Sequence, residues 1–284
     1  MKKYVFPLVV LIAWSFAGCD KPEPIPTYLR IEPFVVNEKG GAEWQRVTDG
    51  WLYVNTEFLG AYTLPAMIPI LAEGSQKVTV FPGVKENGIL VTPNIYPFLK
   101  RYEATVEFSP NDEPTISPWT AYDPAVVQPW GDGGEFDGNT ILQFENRDGD
   151  GATGFELTTD GAFFGKSLRM EVDTAHPTID IASQWVPLPT TAAQEVWMEL
   201  HHNNDIPFAL YLLSGPNEFA QPVYRFNPTE GWNKIYINLT EYLIVSLQEE
   251  HRLFFRVTLP KDEFGRYTQL KGKVMFDNIR LLHY

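Results

Sequence analysis

Short segments in which apolar and polar side chains alternate cover much of this 284-residue chain. Residues 50–54, 76–81 and 102–108 follow this period of two, which is typical of β-strands with one buried face. The chain also contains 21 glycines and 23 prolines, residues that interrupt helices and form turns. Only residues 241–250 have the spacing of apolar side chains that favours a short helix. The sequence therefore predicts an all-β fold.

The chain is long enough for two domains of ordinary size. Strand patterns in residues 28–112 predict a first β-domain. Residues 113–129 begin with a polar, proline-containing stretch and predict a linker. Residues 130–284 contain a series of further strand candidates, whose number and spacing predict a β-sandwich.

The start of the chain has the pattern of an export signal. Residues 5–13 are apolar, follow two lysines, and are too few to span a bilayer, which needs about 20 helical residues. The single cysteine of the chain, Cys19, comes directly after Phe-Ala-Gly. This arrangement resembles the lipobox of bacterial lipoproteins, although that family usually has leucine where this chain has Phe16. The resemblance implies a signal peptide over residues 1–18 and lipidation of Cys19.

An ordinary secretory signal with an incidental cysteine is the alternative. Residues 19–27 contain three alternating prolines, which favour a stiff, extended tether. Acidic residues close behind Cys19 resemble the surface-export signals of Bacteroidota lipoproteins. Together these resemblances imply an outer-membrane protein that is lipid-anchored and exposed at the cell surface. A single cysteine also excludes an internal disulfide framework and a cysteine-rich metal site.

The first β-domain carries a local resemblance to a known surface module. Residues 52–60 and 62–65 form a strand, a turn and a second strand, and a glycine turn precedes the strand at 77–81. This pattern resembles a PEGA-type module, although the expected Asp-Gly turn is Asn-Thr here and residues 83–97 look inserted. The resemblance implies a small, non-catalytic β-sandwich.

Three signatures in the second domain resemble another family. They are Phe-Glu-Asn at 144–146, Gly-Lys-Ser-Leu-Arg-Met at 165–170, and Phe-Asp-Asn-Ile-Arg-Leu at 276–281. Together they resemble the jelly-roll β-sandwich of carbohydrate-binding modules and galactose-binding-like domains. In that family a structural calcium ion often joins the first strand to the terminal aspartate. The resemblance therefore implies Glu145 and Asp277 as calcium ligands; no other cofactor is expected.

An acidic loop at residues 146–151 matches the first half of a calcium-binding loop. An EF-hand is excluded, because the position of its bidentate glutamate falls on Leu157 and strands rather than helices flank the loop. Two interpretations stay open: a different calcium site on the jelly roll, or a glycine-rich hairpin turn in which aspartates bond to the backbone.

Charge and motif content argue against two function classes. Thirty-six acidic residues against 22 Lys and Arg give a net charge of −14, which disfavours nucleic-acid binding. The chain has no Gly-x-Ser-x-Gly, Walker or His-Glu-x-x-His motif. Glu195 and Glu199 would lie about 13 Å apart along a strand, too far to act as a glycosidase pair. His201 and His202 are adjacent and would point to opposite faces, so they cannot share a metal. We therefore predict a non-enzymatic protein.

Aromatic residues supply the candidate binding sites. Trp197, Trp232 and Tyr236 fall on strand faces that also carry polar residues, and flat rings of this kind can stack on sugars. Trp119 and Trp130 flank the predicted domain junction, where they are candidate anchors for a protein partner. The alternative is that these rings belong to the core or to an internal interface, as aromatic residues in sandwiches often do.

Two function hypotheses follow. The first is an accessory lipoprotein that docks on an outer-membrane protein complex for assembly, secretion or motility. The alternative is a glycan-binding lipoprotein that uses aromatic faces of the jelly roll. In addition, Asp-Thr-Ala at 173–175 resembles a short O-glycosylation motif of exported Bacteroidota proteins, which implies a glycan on Thr174.

Overall fold

The structure is a computed structural model, and it describes residues 23–37, 45–89, 91 and 93–284. The predicted signal peptide, residues 1–18, and the predicted lipidation site Cys19 lie outside the described residues, as does the start of the predicted tether at 19–27. No helix in the described part of the chain is both long and apolar enough to cross a membrane.

The N-terminal unit is built from strands. In chain order they are β1 (Thr27–Ile31), β2 (Val35–Val36), β3 (Asp49–Val54), β4 (Glu57–Thr63), β5 (Ala66–Ile70), β6 (Gly74–Lys85), β7 (Pro93–Ile95), β8 (Tyr102–Phe108), β9 (Thr115–Ile116) and β10 (Trp119–Thr120). One antiparallel sheet has the order β4-β3-β6-β7, and β8 also pairs with the long strand β6. A second sheet has the order β5-β1-β9, and β2 pairs with β10.

The two sheets of this unit pack face to face around an apolar core. Leu29 and Ile31 from β1 meet Leu52, Val80 and Phe108 from the other sheet, and none of these five is more than 1% exposed. Along β1 and β8, buried residues alternate with more exposed ones, as the period of two predicts. Burial of such a side chain contributes roughly 1.5–3 kcal/mol relative to exposure.

The hairpin between β3 and β4 shows how the local sequence sets the turn. Val54 and Glu57 are directly paired, so the connection is only two residues long. Asn55 has φ of 56°, a left-handed conformation that asparagine tolerates better than most residues. Asparagine can therefore replace the Asp-Gly turn that the PEGA pattern expects; membership of that family stays a prediction.

The segment predicted as a linker, 113–129, has a different structure at its start. It contains β9 and β10, which pair in parallel with β1 and β2. Ile116 and Thr120 are buried there. The linker prediction is thus wrong for 115–120, because the polar and proline residues around these short strands hid their pairing with strands at the far end of the unit.

The C-terminal unit contains a second set of strands, a 3-10 turn (Gly133–Glu135) and one α-helix, α1 (Thr240–Ser246). The strands are β11 (Phe144–Asn146), β12 (Phe155–Thr158), β13 (Ser167–Asp173), β14 (Thr178–Ser183), β15 (Val186–Pro187), β16 (Trp197–Asn204), β17 (Phe208–Ser214), β18 (Phe219–Phe226), β19 (Asn233–Asn238), β20 (Glu250–Thr258) and β21 (Lys271–Leu282).

These strands form two antiparallel sheets. Sheet I has the order β12-β13-β21-β16-β19, and sheet II has the order β11-β14-β20-β17-β18 with β15 paired to β20. The chain crosses repeatedly from one sheet to the other: β13 lies in sheet I, β14 in sheet II, β16 in sheet I and β17 in sheet II. This crossing between two antiparallel sheets is the jelly-roll arrangement. The predictions of an all-β fold and of a jelly-roll sandwich are confirmed.

The core of the sandwich lies between the inner faces of the two sheets. Leu200 and Phe276 from sheet I pack in one cluster with Leu210, Phe255 and Val257 from sheet II. All five are fully buried. The predicted short helix is also present, as α1, which begins one residue earlier than expected and ends before Leu247 in a left-handed conformation with φ of 54°.

Gly134 offers a direct test of how the 3-10 turn packs on β21. A β-carbon on Gly134 would lie 2.0 Å from the carbonyl oxygen of Ile279. The Gly134→Ala variant must therefore move backbone, and we expect its free energy of unfolding to fall by about 1–3 kcal/mol or more in urea denaturation. Gly151→Ala, where a β-carbon meets nothing within 4 Å, is the matched control and should change little. Equal stability of the two variants would contradict this packing.

Candidate functional site

The structure buries two of the three aromatic residues predicted to contact a glycan. Trp197 and Tyr236 lie on the outer face of sheet I, and neither is more than 2% exposed. The ring of Tyr96, from the N-terminal unit, makes edge contacts with both, with centroid distances of 5.4 Å to Trp197 and 4.8 Å to Tyr236. The prediction that these two rings offer a binding face is wrong. Alternation showed that they point away from the sandwich core, but it could not show that another unit covers them.

The other predicted aromatic contacts have separate positions. Trp130 packs in the sandwich core and is 8% exposed, so its prediction as a contact residue is also wrong. Trp232 is half-buried, and its Nε1 donates a hydrogen bond to the carbonyl oxygen of Gly161 (3.1 Å). Because Trp197 is buried against Tyr96, it cannot form a shared binding platform with Trp232. Trp119 is 52% exposed and lines a groove of about 660 Å³ at the junction of the two units.

A buried carboxylate holds the two units together at this junction. Glu199, on β16, is fully buried. From the N-terminal side, the hydroxyls of Tyr96 and Tyr122 donate to its Oε1 (2.5 and 2.6 Å). From sheet I, the ammonium of Lys234 donates to its Oε2 (2.5 Å). We call these four residues the junction network. Because it satisfies a charge that cannot reach water, it fixes how the units pack.

Neighbouring charges shift the pKa values of groups in the junction network. Burial by itself raises the pKa of Glu199, but the positive charges of Lys234 and Arg280 outweigh burial and bring the pKa below its ordinary value. Burial, followed by the charge of Glu199, raises the pKa of Tyr96 well above its ordinary value. Glu199 is therefore ionised at neutral pH, and Tyr96 and Tyr122 keep the protons that they donate to it.

Backbone contacts extend the same junction. Glu86 forms a parallel bridge with Tyr236, and the amide of Asn87 donates to the carbonyl oxygen of Tyr236 (2.8 Å). The end of β6 thus continues sheet I beyond its edge strand β19. Phe98 packs with Leu282 in the same apolar cluster. The N-terminal unit consequently closes this part of the outer face of sheet I to large ligands.

The two predicted calcium ligands do not come together. Glu145 lies on β11 in sheet II, where its exposed carboxylate accepts hydrogen bonds from Arg147 (3.1 Å) and Arg252 (3.0 Å). Asp277 lies on β21 in sheet I and accepts from the hydroxyl of Ser167 (2.7 Å). The assignment of both to one calcium ion is wrong, because they belong to different sheets. Within the described residues, no group of three His, Cys, Asp or Glu side chains could hold a metal ion.

The acidic loop is a turn that is held by hydrogen bonds between its own side chains and backbone. Oδ1 atoms of Asn146, Asp148 and Asp150 each accept a hydrogen bond from the backbone amide two residues further on, at 3.1, 2.7 and 2.9 Å. These are the side-chain-to-backbone bonds expected of a hairpin turn rich in Asp and Gly. Of the two interpretations left open by the sequence, the hairpin turn accounts for these bonds.

A serine, an aspartate and a histidine lie side by side on sheet I without forming a catalytic triad. The strand register places Asp277 between Ser167 and His201. The serine hydroxyl donates to the aspartate rather than to the histidine, which instead stacks on Phe163 with a centroid distance of 4.3 Å. Burial lowers the pKa of His201 to about 2. A nucleophile needs its base within hydrogen-bond reach, so this row lacks the geometry of a hydrolase.

The predicted glycosylation site is accessible. Thr174 lies in the exposed turn between β13 and β14. The carboxylate of Asp173 accepts hydrogen bonds from the amides of Ala175 and His176, both 2.8 Å, and so shapes the turn. Modification of Thr174 stays a prediction.

The outer face of sheet II carries a second groove, of about 420 Å³. In register across three strands, Arg256 on β20 lies beside Ala209 on β17, which lies beside Arg225 on β18. Because alternate residues share a face, these side chains point outward while Leu210 and Val257 enter the core. The short side chain of Ala209 between two arginines leaves space for a ligand. We call this the sheet II groove; it is also lined by Tyr211, Lys261 and Tyr267.

One arginine in the groove is held in a fixed orientation. Arg256 donates from Nε to one oxygen of Asp180 (2.8 Å) and from a terminal nitrogen to the other (2.6 Å). Its guanidinium also lies 5.4 Å from the centroid of the Phe254 ring. The hydrogen bond with Asp180 raises the pKa of Arg256 above its ordinary value. A two-point ion pair of this kind orients the remaining N–H groups before any ligand arrives.

Two half-buried tyrosines complete the groove. Tyr211 rises from β17, and Tyr267 comes from the loop after β20, where Lys261 lies 4.6 Å from its ring centroid. Neither tyrosine hydroxyl forms a hydrogen bond with any residue that the structure describes. Both hydroxyls are available to a ligand.

The comparisons with known proteins found only distant structural similarity. No protein-family model matches the chain, and no curated protein does. A family 29 carbohydrate-binding module aligns with 56% of this chain and 85% of that chain, at 8% identity and a TM-score of 0.34. A family 11 carbohydrate-binding module of a Clostridium thermocellum cellulase covers 55% and 95%, at 15% identity and a TM-score of 0.37. The enzymatically active domain of a bacteriophage tailspike protein covers 60% of this chain and 26% of its own, at 11% identity and a TM-score of 0.39. These scores are too low to say anything about the groove.

The sequence interpretation did not predict the sheet II groove, although one signal was present. Arg252, Phe254 and Arg256 alternate with buried aliphatic and aromatic residues along β20, which marks an outward face rich in arginine. Tyr211 follows the same rule on the neighbouring strand. Tyr267 has no such signal, because its place in the groove depends on the path of a loop.

Removing the charge of Glu199 tests the junction network. In Glu199→Gln the buried ammonium of Lys234 loses its counter-charge, and an unpaired buried charge costs about 3–5 kcal/mol. We expect a loss of this size in urea denaturation at pH 7. The double variant Glu199→Gln, Lys234→Met, which removes both charges, should recover part of it.

The stability lost in Glu199→Gln should change with pH in a defined direction. Because folding lowers the pKa of Glu199 below 4.5, its stabilisation is complete above that pH and declines as acid protonates the folded carboxyl. The gap between wild type and Glu199→Gln should therefore narrow below pH 4.5. A gap that is absent at pH 7, or a double variant no more stable than the single one, would contradict a structural ion pair.

Proposed function

We propose that this protein is a non-enzymatic, lipid-anchored protein that binds glycans in the sheet II groove. The observation that carries the proposal is the pair Tyr211 and Tyr267, whose hydroxyls bond to no described residue, beside an arginine that Asp180 already orients. The groove volume of about 420 Å³ falls within the roughly 300–1,000 Å³ of small-molecule sites.

The chemistry of the groove suits a saccharide. A sugar ring has an apolar face of C–H groups, which packs on aromatic rings, and a rim of hydroxyls, which need both donors and acceptors. Tyrosine supplies a ring face and a hydroxyl that donates and accepts. Arg256 supplies several donors in fixed positions. A ligand that combines apolar ring faces with many hydroxyls therefore matches this lining better than a purely apolar one.

The rest of the chain is proposed to present this groove. Lipidation at Cys19 would anchor the protein in the outer membrane, and residues 19–27 would hold its body away from the lipid surface. The PEGA-like unit, fixed to sheet I, would serve as a spacer. In this arrangement the groove lies on the sandwich face opposite the spacer, where it can reach polysaccharide at the cell surface.

Alanine variants of the tyrosines test this function. We expect the wild type to bind at least one polysaccharide on an array, and Tyr211→Ala and Tyr267→Ala each to weaken that binding about tenfold, because each removes a ring contact and a hydroxyl. Affinities would be measured by isothermal titration calorimetry. Tyr28→Ala, which changes a partly exposed tyrosine of the N-terminal unit, is the control and should bind normally. Unchanged affinity in both groove variants would contradict the proposal.

A second candidate function, docking on an outer-membrane protein complex, is favoured by one observation. Trp119 and Tyr284 are 52% and 42% exposed and line the junction groove with Phe81. Exposed aromatic rings beside a cavity are typical anchors of protein interfaces. Trp130, the other aromatic residue predicted at this junction, is buried in the sandwich core and not available for such contacts.

Affinity purification separates this candidate from the first. If docking occurs there, a stoichiometric outer-membrane protein should copurify with the wild type from mild detergent and be lost with Trp119→Ala, Tyr284→Ala. The Tyr211→Ala variant, altered on the other sheet, should retain the same partner. Recovery of the wild type without a stoichiometric partner would argue against docking.

A further inference from the structure

The charges that line the sheet II groove differ in sign from those of the chain as a whole. The protein has 36 acidic residues and 22 Lys and Arg. The described lining of the groove nevertheless contains Arg225, Arg256 and Lys261 and no Asp or Glu. In a chain with more acidic than basic residues, a groove whose charged lining residues are all cations is a local exception. Such a groove attracts negatively charged ligands.

Two of these cations lack a counter-charge. Arg256 is neutralised by Asp180. Arg225 and Lys261 form no ion pair with any residue in the described part of the chain. The acidic neighbour of Lys261, Asp262, is instead paired with Arg266 (2.9 Å). The groove therefore presents two positive charges that a ligand could neutralise.

The lining of the junction groove has no excess of positive charge. Lys100 and Arg101 line it together with Glu103 and Asp123, and Arg101 donates to Glu103 (2.8 Å). Its charges balance within the groove. The excess of positive charge in the sheet II groove is thus absent from the junction groove.

We propose that the sheet II groove selects acidic glycans, that is, saccharides that carry carboxylates, and that Arg225 and Lys261 bind those carboxylates. This inference rests on the proposed function, glycan binding in the same groove. Tyr211 and Tyr267 contact the sugar rings. Arg225 on β18 and Lys261 on the loop after β20 distinguish acidic from neutral sugars.

The position of the groove favours a saccharide over an acidic peptide. It lies across the outer face of sheet II, over β20, β17 and the edge strand β18, where Arg256, Ala209 and Arg225 present side chains rather than backbone. An extended peptide binds sheets by pairing its backbone with a free strand edge, whereas this groove opens on the face of the sheet. A saccharide needs ring faces and hydroxyl partners, which the groove supplies.

Matched pairs of oligosaccharides test the inference. Oligomers of galacturonate, mannuronate and glucuronate would each be compared with the same oligomer after reduction of its carboxyl groups to alcohols, which keeps the linkage and removes the charge. Binding to the full-length protein in mild detergent would be measured by calorimetry. We expect at least one acidic oligomer to bind more than about tenfold more tightly than its reduced partner, as for a charge-assisted hydrogen bond.

Charge-reversal variants assign the effect to the groove. Arg225→Glu, Lys261→Glu should lose the preference for the acidic oligomer. Lys166→Glu, Lys271→Glu makes the same change of charge at exposed positions on the other sheet and should retain it. Thermal unfolding of each variant would check that the fold is intact; all four positions are exposed, so we expect unchanged midpoints.

The outcomes separate the inference from the proposed function. Equal binding of acidic and reduced oligomers, with loss in Tyr211→Ala, overturns the acidic preference and leaves glycan binding in place. No binding to any pair or to any neutral glycan overturns both. Binding of poly-glutamate as tight as that of the acidic oligomers, unaffected by Tyr211→Ala, also overturns both and identifies a site for acidic polypeptides.

Discussion

The buried carboxylate of Glu199 determines how the two units are arranged. It has no access to water, and a charge in that position is tolerated only if neighbouring groups replace its hydration. Tyr96 and Tyr122 supply hydrogen bonds from one unit, and Lys234 supplies one from the other. Separation of the units would expose these groups to water or remove their hydrogen-bond partners. The junction is therefore a specific interface in which a buried ion pair acts together with backbone and apolar contacts.

This junction also makes the two outer faces of the sandwich different, because it covers only one of them. On the outer face of sheet I, Trp197 and Tyr236 serve as interface residues under Tyr96 and Phe98. On the outer face of sheet II, Tyr211 and Arg256 line an open groove. The same jelly-roll scaffold thus uses aromatic and charged residues for internal packing on one side and leaves them accessible in a groove on the other. The ligand-binding proposal follows from this difference in covering, since the residue types on the two faces are similar.

Much of the architecture could be predicted from the sequence because it depends on local patterns. Alternation identified the strands, and it assigned Trp197 and Glu199 to the outer face of β16. What covers that face depends on contacts between residues about a hundred positions apart, such as Tyr96 with Glu199, and no local pattern encodes them. The assignment of Glu145 and Asp277 to one calcium ion failed for a related reason, since the family resemblance could not place these two residues in space. The groove was missed because Tyr267 reaches it through a loop.

The central claim is that ligand binding belongs to the outer face of sheet II, and mapping a bound acidic oligosaccharide by NMR tests it most directly. Amide correlation spectra of the isotope-labelled protein would be recorded during titration with the oligosaccharide. The account predicts that the largest shifts cluster at Tyr211, Arg225, Arg256 and Tyr267. Shifts that instead cluster around Trp119 at the junction groove, or around Trp232 on sheet I, would contradict it.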